Sequence, residues 1–400
     1  MPWMLPIRCP VAEFEQVILG AIAHGGDCVA RLPGDGAGRV MFVRGGIPGE
    51  KVLVRVTNAK RAAWWRGVVV EVVDASPNRV TPPCPVGGIC GGCDFQHISL
   101  ARQRMLKAQV VAQQLRQLAG VEWPNLAVEP VPGDVDGLAW RTRMRYLVNS
   151  DAVGLRAHAS HDLVVLPPQG CPLATPGGPR ADELASLAGG ASEVAVTVAN
   201  SGVTVWVPGD SVVEGSLVVG EWAATRGYLV RADGFWQVHP GAATALVQAV
   251  TTMLHAQPGE PVLDLYCGVG LFAGAMGDAI VDGVEGDRAA VDLARQNVPK
   301  ARFEAGLVQH VAWDASGHLG VVVLDPPRAG AGRDIVQRVA TCRPRAVAYV
   351  ACDPASLARD IAIFADLGYE LTALRAFDIF PMTSHVECVA LLTPVSPGMQ

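Results

Sequence analysis

Four hundred residues exceed what one hydrophobic core usually organises, so two or three domains are expected. Half the residues are apolar and 18% are charged, a composition that excludes a disordered chain. The net charge of −6 offers no global attraction to a polyanion, so any nucleic-acid surface must come from local clusters. The longest apolar runs, such as Val68–Val70 and Gly320–Leu324, are strand-sized and too short to span a membrane. The opening residues, Met-Pro-Trp-Met-Leu-Pro, lack the basic region followed by an apolar one that marks a secretion signal. A soluble cytoplasmic monomer with no membrane partner is therefore expected. In that compartment the ten cysteines stay reduced, which turns attention from disulfides to metal binding or catalysis.

From about Val11 to Val73, short alternating runs (Cys28–Leu32, Arg39–Val43, Lys51–Val56, Arg66–Val73) are punctuated by Gly34, Gly36, Gly38 and Gly45-Gly46. This spacing predicts a small antiparallel β-barrel. Between Arg39 and Arg66 seven basic residues (Arg39, Arg44, Lys51, Arg55, Lys60, Arg61, Arg66) meet one acid, Glu50, with Trp64-Trp65 among them. Together with Arg141, Arg143 and Arg145, they weigh a nucleic-acid surface evenly against an ordinary solvated face. A loop containing Ser76-Pro77 and Pro82-Pro83 then marks a boundary. Ser99 to about Leu118 has no Gly or Pro and carries apolar residues at helical spacing, which predicts a helix with Ser99 as N-cap.

Residues from about Val128 to Val230 alternate like strands (Arg143–Asn149, Val194–Val198, Thr204–Val207, Ser216–Val219) and form a β-rich middle region. After Phe235 the pattern changes: Thr244–His255 is helical and Pro261–Tyr266 is a buried strand followed by a glycine turn. Strands Ile280–Val284, Val321–Leu324 and Ala346–Val350 then alternate with helices Asp287–Asn297, Arg333–Ala340 and Ser356–Leu367. Such alternation predicts a doubly wound α/β sheet. The expected division is 1–75, a small barrel; 76–234, a cysteine loop and central α+β domain; and 235–400, the doubly wound domain.

Cys84, Cys90 and Cys93 share a loop with Gly87-Gly88 and Gly91-Gly92, and Gly170-Cys171-Pro172 repeats its context. Soft thiolates this close suit zinc or an iron–sulfur cluster, and spacing leaves the two open. The turn Leu263-Asp264-Leu265-Tyr266-Cys267-Gly268-Val269-Gly270 carries two glycines where a dinucleotide fingerprint has three. Glu285 ends the next strand, seventeen residues past Gly268, where an acid can accept from both ribose hydroxyls. With no phosphate-binding motif at hand, an adenosyl cofactor lacking pyrophosphate fits best. Asp325-Pro326-Pro327-Arg328 follows the strand Val321–Leu324, and its prolines stiffen the exit, fixing Asp325 at the carboxyl end of the sheet. Its expected work is to position the charged end of the cofactor or the incoming base.

Cys352 falls between the strand ending at Val350 and the helix starting near Ser356, on the same sheet edge. Amides at a helix start lower a thiol's pKa, so a reactive thiolate is expected. Glu387 opens the apolar run Cys388-Val389-Ala390-Leu391-Leu392, where desolvation favours a base ready to take a proton.

Several motifs agree with one family. Cys84-x5-Cys90-x2-Cys93, Phe235-Trp236-Gln237-Val238, Asp264-Leu265-Tyr266-Cys267-Gly268-Val269-Gly270, Leu324-Asp325-Pro326-Pro327-Arg328, Ala351-Cys352-Asp353-Pro354 and His385-Val386-Glu387 run nearly end to end. On these the chain resembles the RNA uridine-5-methyltransferases that carry an N-terminal TRAM domain and an iron–sulfur cluster. The resemblance implies a Rossmann-like S-adenosylmethionine-dependent methyltransferase domain, a TRAM/OB-like barrel that binds RNA, and tRNA or rRNA as substrate. It implies Cys352 as nucleophile, Glu387 as general base, and Gln237, Tyr266, Glu285 and Asp325 as cofactor contacts. It also implies Cys84, Cys90, Cys93 and Cys171 as ligands of a [4Fe–4S] cluster. Three positions depart from the pattern: His239 and Leu271 stand where asparagine is common, and Gly306 where a polar residue is expected near adenine. They weaken adenine and methionine-tail contacts and favour a second reading, an RNA-binding or redox-sensing iron–sulfur protein with an inactive methyltransferase domain. Retention of Cys352 and Glu387 favours the enzyme.

Overall fold

Val321–Leu324 has no polar position, and such a run is stable only where both of its faces are covered. In the computed structural model it lies inside an eight-stranded sheet. The described residues are 14–32, 38–59, 63–150, 152–209, 212–313 and 319–395. Of the features anticipated above, Lys60, Arg61, Gly34, Gly36 and the barrel's start at Val11 lie outside them.

The sheet runs in the order Arg302–Ala305, Ile280–Glu285, Pro261–Leu265, Val321–Leu324, Ala346–Ala351, Glu387–Pro394, Tyr369–Asp378, Val128–Pro130. The first five strands are parallel, and Glu387–Pro394 runs antiparallel to both of its neighbours. Alternate side chains serve two cores: Val321 and Val323 enter one, Val322 and Leu324 the other. Helices Arg288–Asn297, Gly332–Thr341 and Pro354–Asp366 make the crossovers. The first and third start on aspartates, Asp287 and Asp353, whose carboxylates accept from the amides of Ala289 and Ser356. This is the doubly wound architecture expected from the alternation. One strand end shifts: Tyr266 leaves the sheet with φ 65°, so the strand closes at Leu265 and the tyrosine belongs to the turn.

Five strands, Phe14–Ile18, Cys28–Arg31, Val40–Arg44, Lys51–Asn58 and Trp64–Asp74, build the N-terminal curled sheet around Val17, Met41, Val43, Val52 and Val54. It is not wholly antiparallel as the spacing predicted, because Val40–Arg44 pairs in parallel with Trp64–Asp74. Strand lengths are legible from alternation; which strand pairs with which is not.

The middle region holds a six-stranded sheet that includes Arg143–Asn149 and Glu193–Ala199, and a separate pair, Val218–Ala223 with Arg226–Arg231. The predicted helix is present as Leu100–Gln114, continued by one wide turn, Leu115–Ala119, and closed by Gly120 in the left-handed region. Ser99 stands at its N-cap, yet its hydroxyl makes no cap bond and points to Asn78 Oδ1 at 3.5 Å. Val128–Pro130, from the same region, adds a strand to the edge of the eight-stranded sheet. No helix among the described residues is long and apolar enough to cross a membrane.

Candidate active site

Strands ending at Leu265, Glu285, Leu324 and Ala351 are parallel, so their carboxyl ends reach one edge of the sheet. A cleft of about 1240 Å³ opens there. Gln237, Tyr266, Glu285, Asp325, Cys352 and Glu387 all line it, which brings together six side chains spread over more than a hundred residues.

Glu285 is fixed by two backbone donors, the amides of Gly268 (3.1 Å) and Asp287 (2.8 Å), one to each oxygen. Each carboxylate oxygen keeps a second lone pair, and Glu285 lines the cleft, so a ribose diol suits the remaining acceptors. Val269, Ala290, Leu293 and Leu307 supply apolar wall nearby. These residues suit a nucleoside. Burial, then the charge of Glu285, pushes Asp325 up to about 7, and among the described residues no donor reaches its side chain. A carboxylate left so exposed to repulsion is prepared for a cation.

The antiparallel register pairs Ala351 with Cys388, and continued by one residue it sets Cys352 opposite Glu387. Cys352 was expected to have a lowered pKa, and the structure reverses this. Burial, then the charge of Glu387, pushes the thiol up to about 11, against a smaller pull from Arg328. The helix start gives less help than the sequence promised because Asp353 already takes the Ser356 amide at 2.8 Å. Glu387 lies well above the ordinary carboxylate range, from burial first and Asp325 second. At neutral pH the Cys352 thiol is held protonated.

Cys84, Cys90, Cys93 and Cys171 wall a second, small cavity with Val86, Leu155, Leu166 and Leu173. Burial raises the thiol pKa of Cys90, Cys93 and Cys171. The Gln96 amide donates to Cys93 Sγ at 3.0 Å, and the Gly92 amide to Cys90 Sγ at 3.4 Å. Among the described residues no three His, Cys, Asp or Glu side chains draw close enough to hold one metal ion. Four soft donors around one apolar space, with amide donors aimed at two of the sulfurs, fit a sulfur-rich cluster. The same loop is tied to its surroundings. Asp94 accepts from the Ser384 amide (3.2 Å) and hydroxyl (3.1 Å), and Arg44 donates to the Cys93 carbonyl at 3.1 Å.

Other predicted residues find different work. Arg143 is no nucleic-acid contact: its guanidinium bonds Glu221 and the carbonyls of Arg231, Ala232 and Gly234. Arg44 and Arg66 are engaged with Asp94 and Asp27. Trp65 packs against the barrel core with Arg39 over its ring at 4.5 Å, whereas Trp64 meets Phe42 edge-on at 5.8 Å. His239 is buried and stacked on Trp140, and Leu271 lies in the core; neither lines the cleft. At Gly306 a Cβ would stand 2.6 Å from Val311 Cγ2, so a polar side chain there would have to displace its neighbour. The departures that favoured an inactive domain therefore leave the cleft lining largely untouched.

Sequence reasoning missed the supports of the site. Lys107 is fully buried, bonding Asp378 Oδ1 at 2.6 Å and the Phe380 carbonyl at 3.0 Å, and so braces the chain leading to Glu387. Asp360 Oδ2 takes the Tyr349 hydroxyl (2.6 Å) and the amides of Ala331 and Gly332, anchoring the loop after Asp325. A lysine at an inward helical position was the one available signal for the first. His24, on the barrel, pairs with Asp353 across 3.0 Å, and nothing in the local sequence announces it.

A parallel sheet with one antiparallel strand and a large cleft at its carboxyl edge defines a Rossmann-like methyltransferase fold. The solved structure of Pyrococcus abyssi tRNA (uracil-54, C5)-methyltransferase with S-adenosyl-L-homocysteine shares the fold, with a TM-score of 0.73 over 94% of this chain and 99% of that one, at 24% identity. The tRNA (Uracil-5-)-methyltransferase family matches residues 313–395, and the TRAM domain matches 13–63. An uncharacterized RNA methyltransferase of Streptomyces avermitilis is 41% identical, covering 97% of this chain and all of its own length. The 23S rRNA (uracil(1939)-C(5))-methyltransferase RlmD of Pseudomonas putida is 33% identical over 96% of this chain and 94% of its own. The chain belongs to the RNA (uracil-5-)-methyltransferase family.

Proposed function

We propose that this protein methylates C5 of a uridine in RNA, using S-adenosylmethionine and a transient covalent bond between Cys352 and C6 of the base. The placement of Cys352 opposite Glu387, where the pairing of Ala351 with Cys388 ends, carries this reading. C5 of uracil is a weak nucleophile. Cys352 loses its proton to solvent and adds as the thiolate to C6, which moves electron density to C5; C5 then attacks the methyl group, releasing S-adenosylhomocysteine. Glu387 takes the C5 proton, and elimination of the Cys352 sulfur restores the thiolate and the aromatic base. The base must leave its stack to enter the cleft, so the substrate is a loop or locally opened RNA.

Gln237, Tyr266, Glu285 and Asp325 are the residues we assign to the cofactor, Glu285 through the ribose and Asp325 through its positive end. S-adenosylmethionine supplies the methyl group and a sulfonium charge, and a cation among these carboxylates favours the ionised forms of Asp325 and Glu387. Burial of Glu387 then becomes useful, since a base with a raised pKa takes a proton more readily at neutral pH.

Residues 1–75 form the RNA-binding module in this reading, 76–234 the cluster-bearing and central part, and 235–400 the methyltransferase. Cys84, Cys90, Cys93 and Cys171 would hold a [4Fe–4S] cluster, which we assign a structural part because no cleft residue lines its cavity. The relatives named for 23S rRNA, matched nearly end to end, support ribosomal RNA as the substrate class. Mapping 5-methyluridine separately in tRNA and rRNA, from cells with and without the protein, tests this. One rRNA site should lose its methyl group; an unchanged map would defeat the proposal.

A further inference from the structure

The N-terminal barrel touches the catalytic edge at one tight turn. Ala23–Asp27 is closed by the Ala23 amide donating to the Asp27 carbonyl at 2.8 Å and the Gly26 amide to the Ala23 carbonyl at 3.0 Å. On one side of the turn, His24 Nε2 lies 3.0 Å from Asp353 Oδ2. Asp353 immediately follows Cys352 and caps the helix behind it. On the other side, Gly26 presses on the loop that leads to Glu387. Its φ is +92°, and a Cβ there would stand 2.7 Å from Ser384 Cβ and 3.1 Å from the Phe95 ring. Ser384 is itself clamped by Asp94. One barrel turn thus bridges the loop of the thiol and the loop of the carboxylate.

We infer that His24 is a positioning residue for methyl transfer: its ion pair with Asp353 holds the Cys352 loop in register with the Glu387 loop, so the docked barrel acts in the chemistry as well as in RNA capture. The inference rests on the roles proposed above for Cys352 and Glu387. Three features support it. The contact is direct, it lies beside the nucleophile, and the same turn bears on both loops.

The charges around His24 give the contact a direction with pH. Asp353 faces it and raises its pKa, while Arg359 on the same helix opposes that, and His385 on the other loop is a further neighbour. Asp353 is held well below the ordinary carboxylate range, with His24 and the Ser356 amide among the causes, so it remains ionised throughout. The His24 pair is therefore complete below 6.5, the ordinary imidazole value, and lost as pH rises through the raised value in the folded chain. Glutamine keeps a donor in place of imidazole without a proton that titrates.

The test compares His24→Ala and His24→Gln in the full chain with RNA and S-adenosylmethionine. His24→Ala should lower kcat about tenfold with KM for RNA unchanged, as a small misplacement of reacting groups does. His24→Gln should recover most of the loss, and the ratio of wild-type kcat to its kcat should fall toward unity as pH rises above neutrality. A kcat unchanged in His24→Ala, a loss confined to KM, or a ratio indifferent to pH would overturn the inference. A second measurement separates it from the reading on which it rests. The rate of Cys352 alkylation by iodoacetamide, followed by mass spectrometry without RNA, should change about threefold or more in His24→Ala, the equivalent of half a pKa unit. If the wild-type protein methylates no RNA yet this rate responds, the enzymatic reading fails and the positioning stands; an unchanged rate overturns the positioning.

Discussion

Cys352 and the four thiols at positions 84, 90, 93 and 171 show how differently one residue type is used in this chain. Cys352 follows the end of a sheet strand and lines a wide cleft with Gln237, Glu285, Asp325, Arg328, His385 and Glu387 among its polar walls. Cys84, Cys90, Cys93 and Cys171 sit on loops around a small, mostly apolar cavity and face one another. Burial raises the pKa in both places, to about 11 at Cys352 and about 12 at Cys93. The surroundings make the difference. Beside Cys352 stands the Glu387 carboxyl; beside Cys93 stand further sulfurs and the Gln96 amide. The function proposed above gives the thiol in the open cleft chemistry on a visiting base, and the four thiols around the small apolar cavity a shared resident group.

Substitutions can break or sharpen that contrast. The largest effect is expected at the cleft. Cys352→Ala should reduce methyl transfer by about 10⁴-fold or more with S-adenosylmethionine binding kept, and Glu387→Gln should leave a protein–RNA adduct that survives denaturing electrophoresis. Turnover at the wild-type rate in either variant would dissolve the distinction between the two groups. Cys93→Ser should act more mildly. It should lower iron per chain and visible absorption, and slow methyl transfer by about tenfold, through the Asp94–Ser384 clamp next to it. A loss as complete as that of Cys352→Ala would mean that the cavity belongs to the reaction.

The smallest effect concerns stability. Asp325 has a folded pKa of about 7 against 3.8 for the ordinary group, so the folded chain holds its proton more tightly than the unfolded chain does. Its favourable contribution is complete below 3.8 and is lost as pH rises through about 7. Asp325→Asn should thus come close to wild type in denaturation at pH near 4 and exceed it by about 4 kcal/mol at pH near 8. A stability gain without regard to pH would indicate repacking instead of a relieved charge.

Much of the molecule was legible in the chain itself. Local periodicity depends only on neighbours along the backbone, so Val321–Leu324, Ala346–Ala351 and the helix behind Cys352 were readable to within a residue or two. The six cleft residues and the four cavity cysteines were readable as motifs, because each motif is a short string at an element's end. Arg143 shows where this fails. Its basic neighbours looked like a surface, and only Glu221 and three carbonyls brought by the folded chain made it a buried strut.

The sequence by itself determined the strand–helix alternation of a doubly wound sheet, the glycine turn before Glu285, and the presence of a thiol and a carboxylate at strand ends. Tertiary structure alone decided that Cys352 and Glu387 fall opposite each other where the Ala351–Cys388 pairing ends, that burial raises the pKa of both, and that His24 reaches across from the barrel to Asp353. The reason is physical. Propensity and pattern act along the chain, whereas desolvation and Coulomb interaction sum over whatever the fold brings near, and those neighbours come from every part of the sequence.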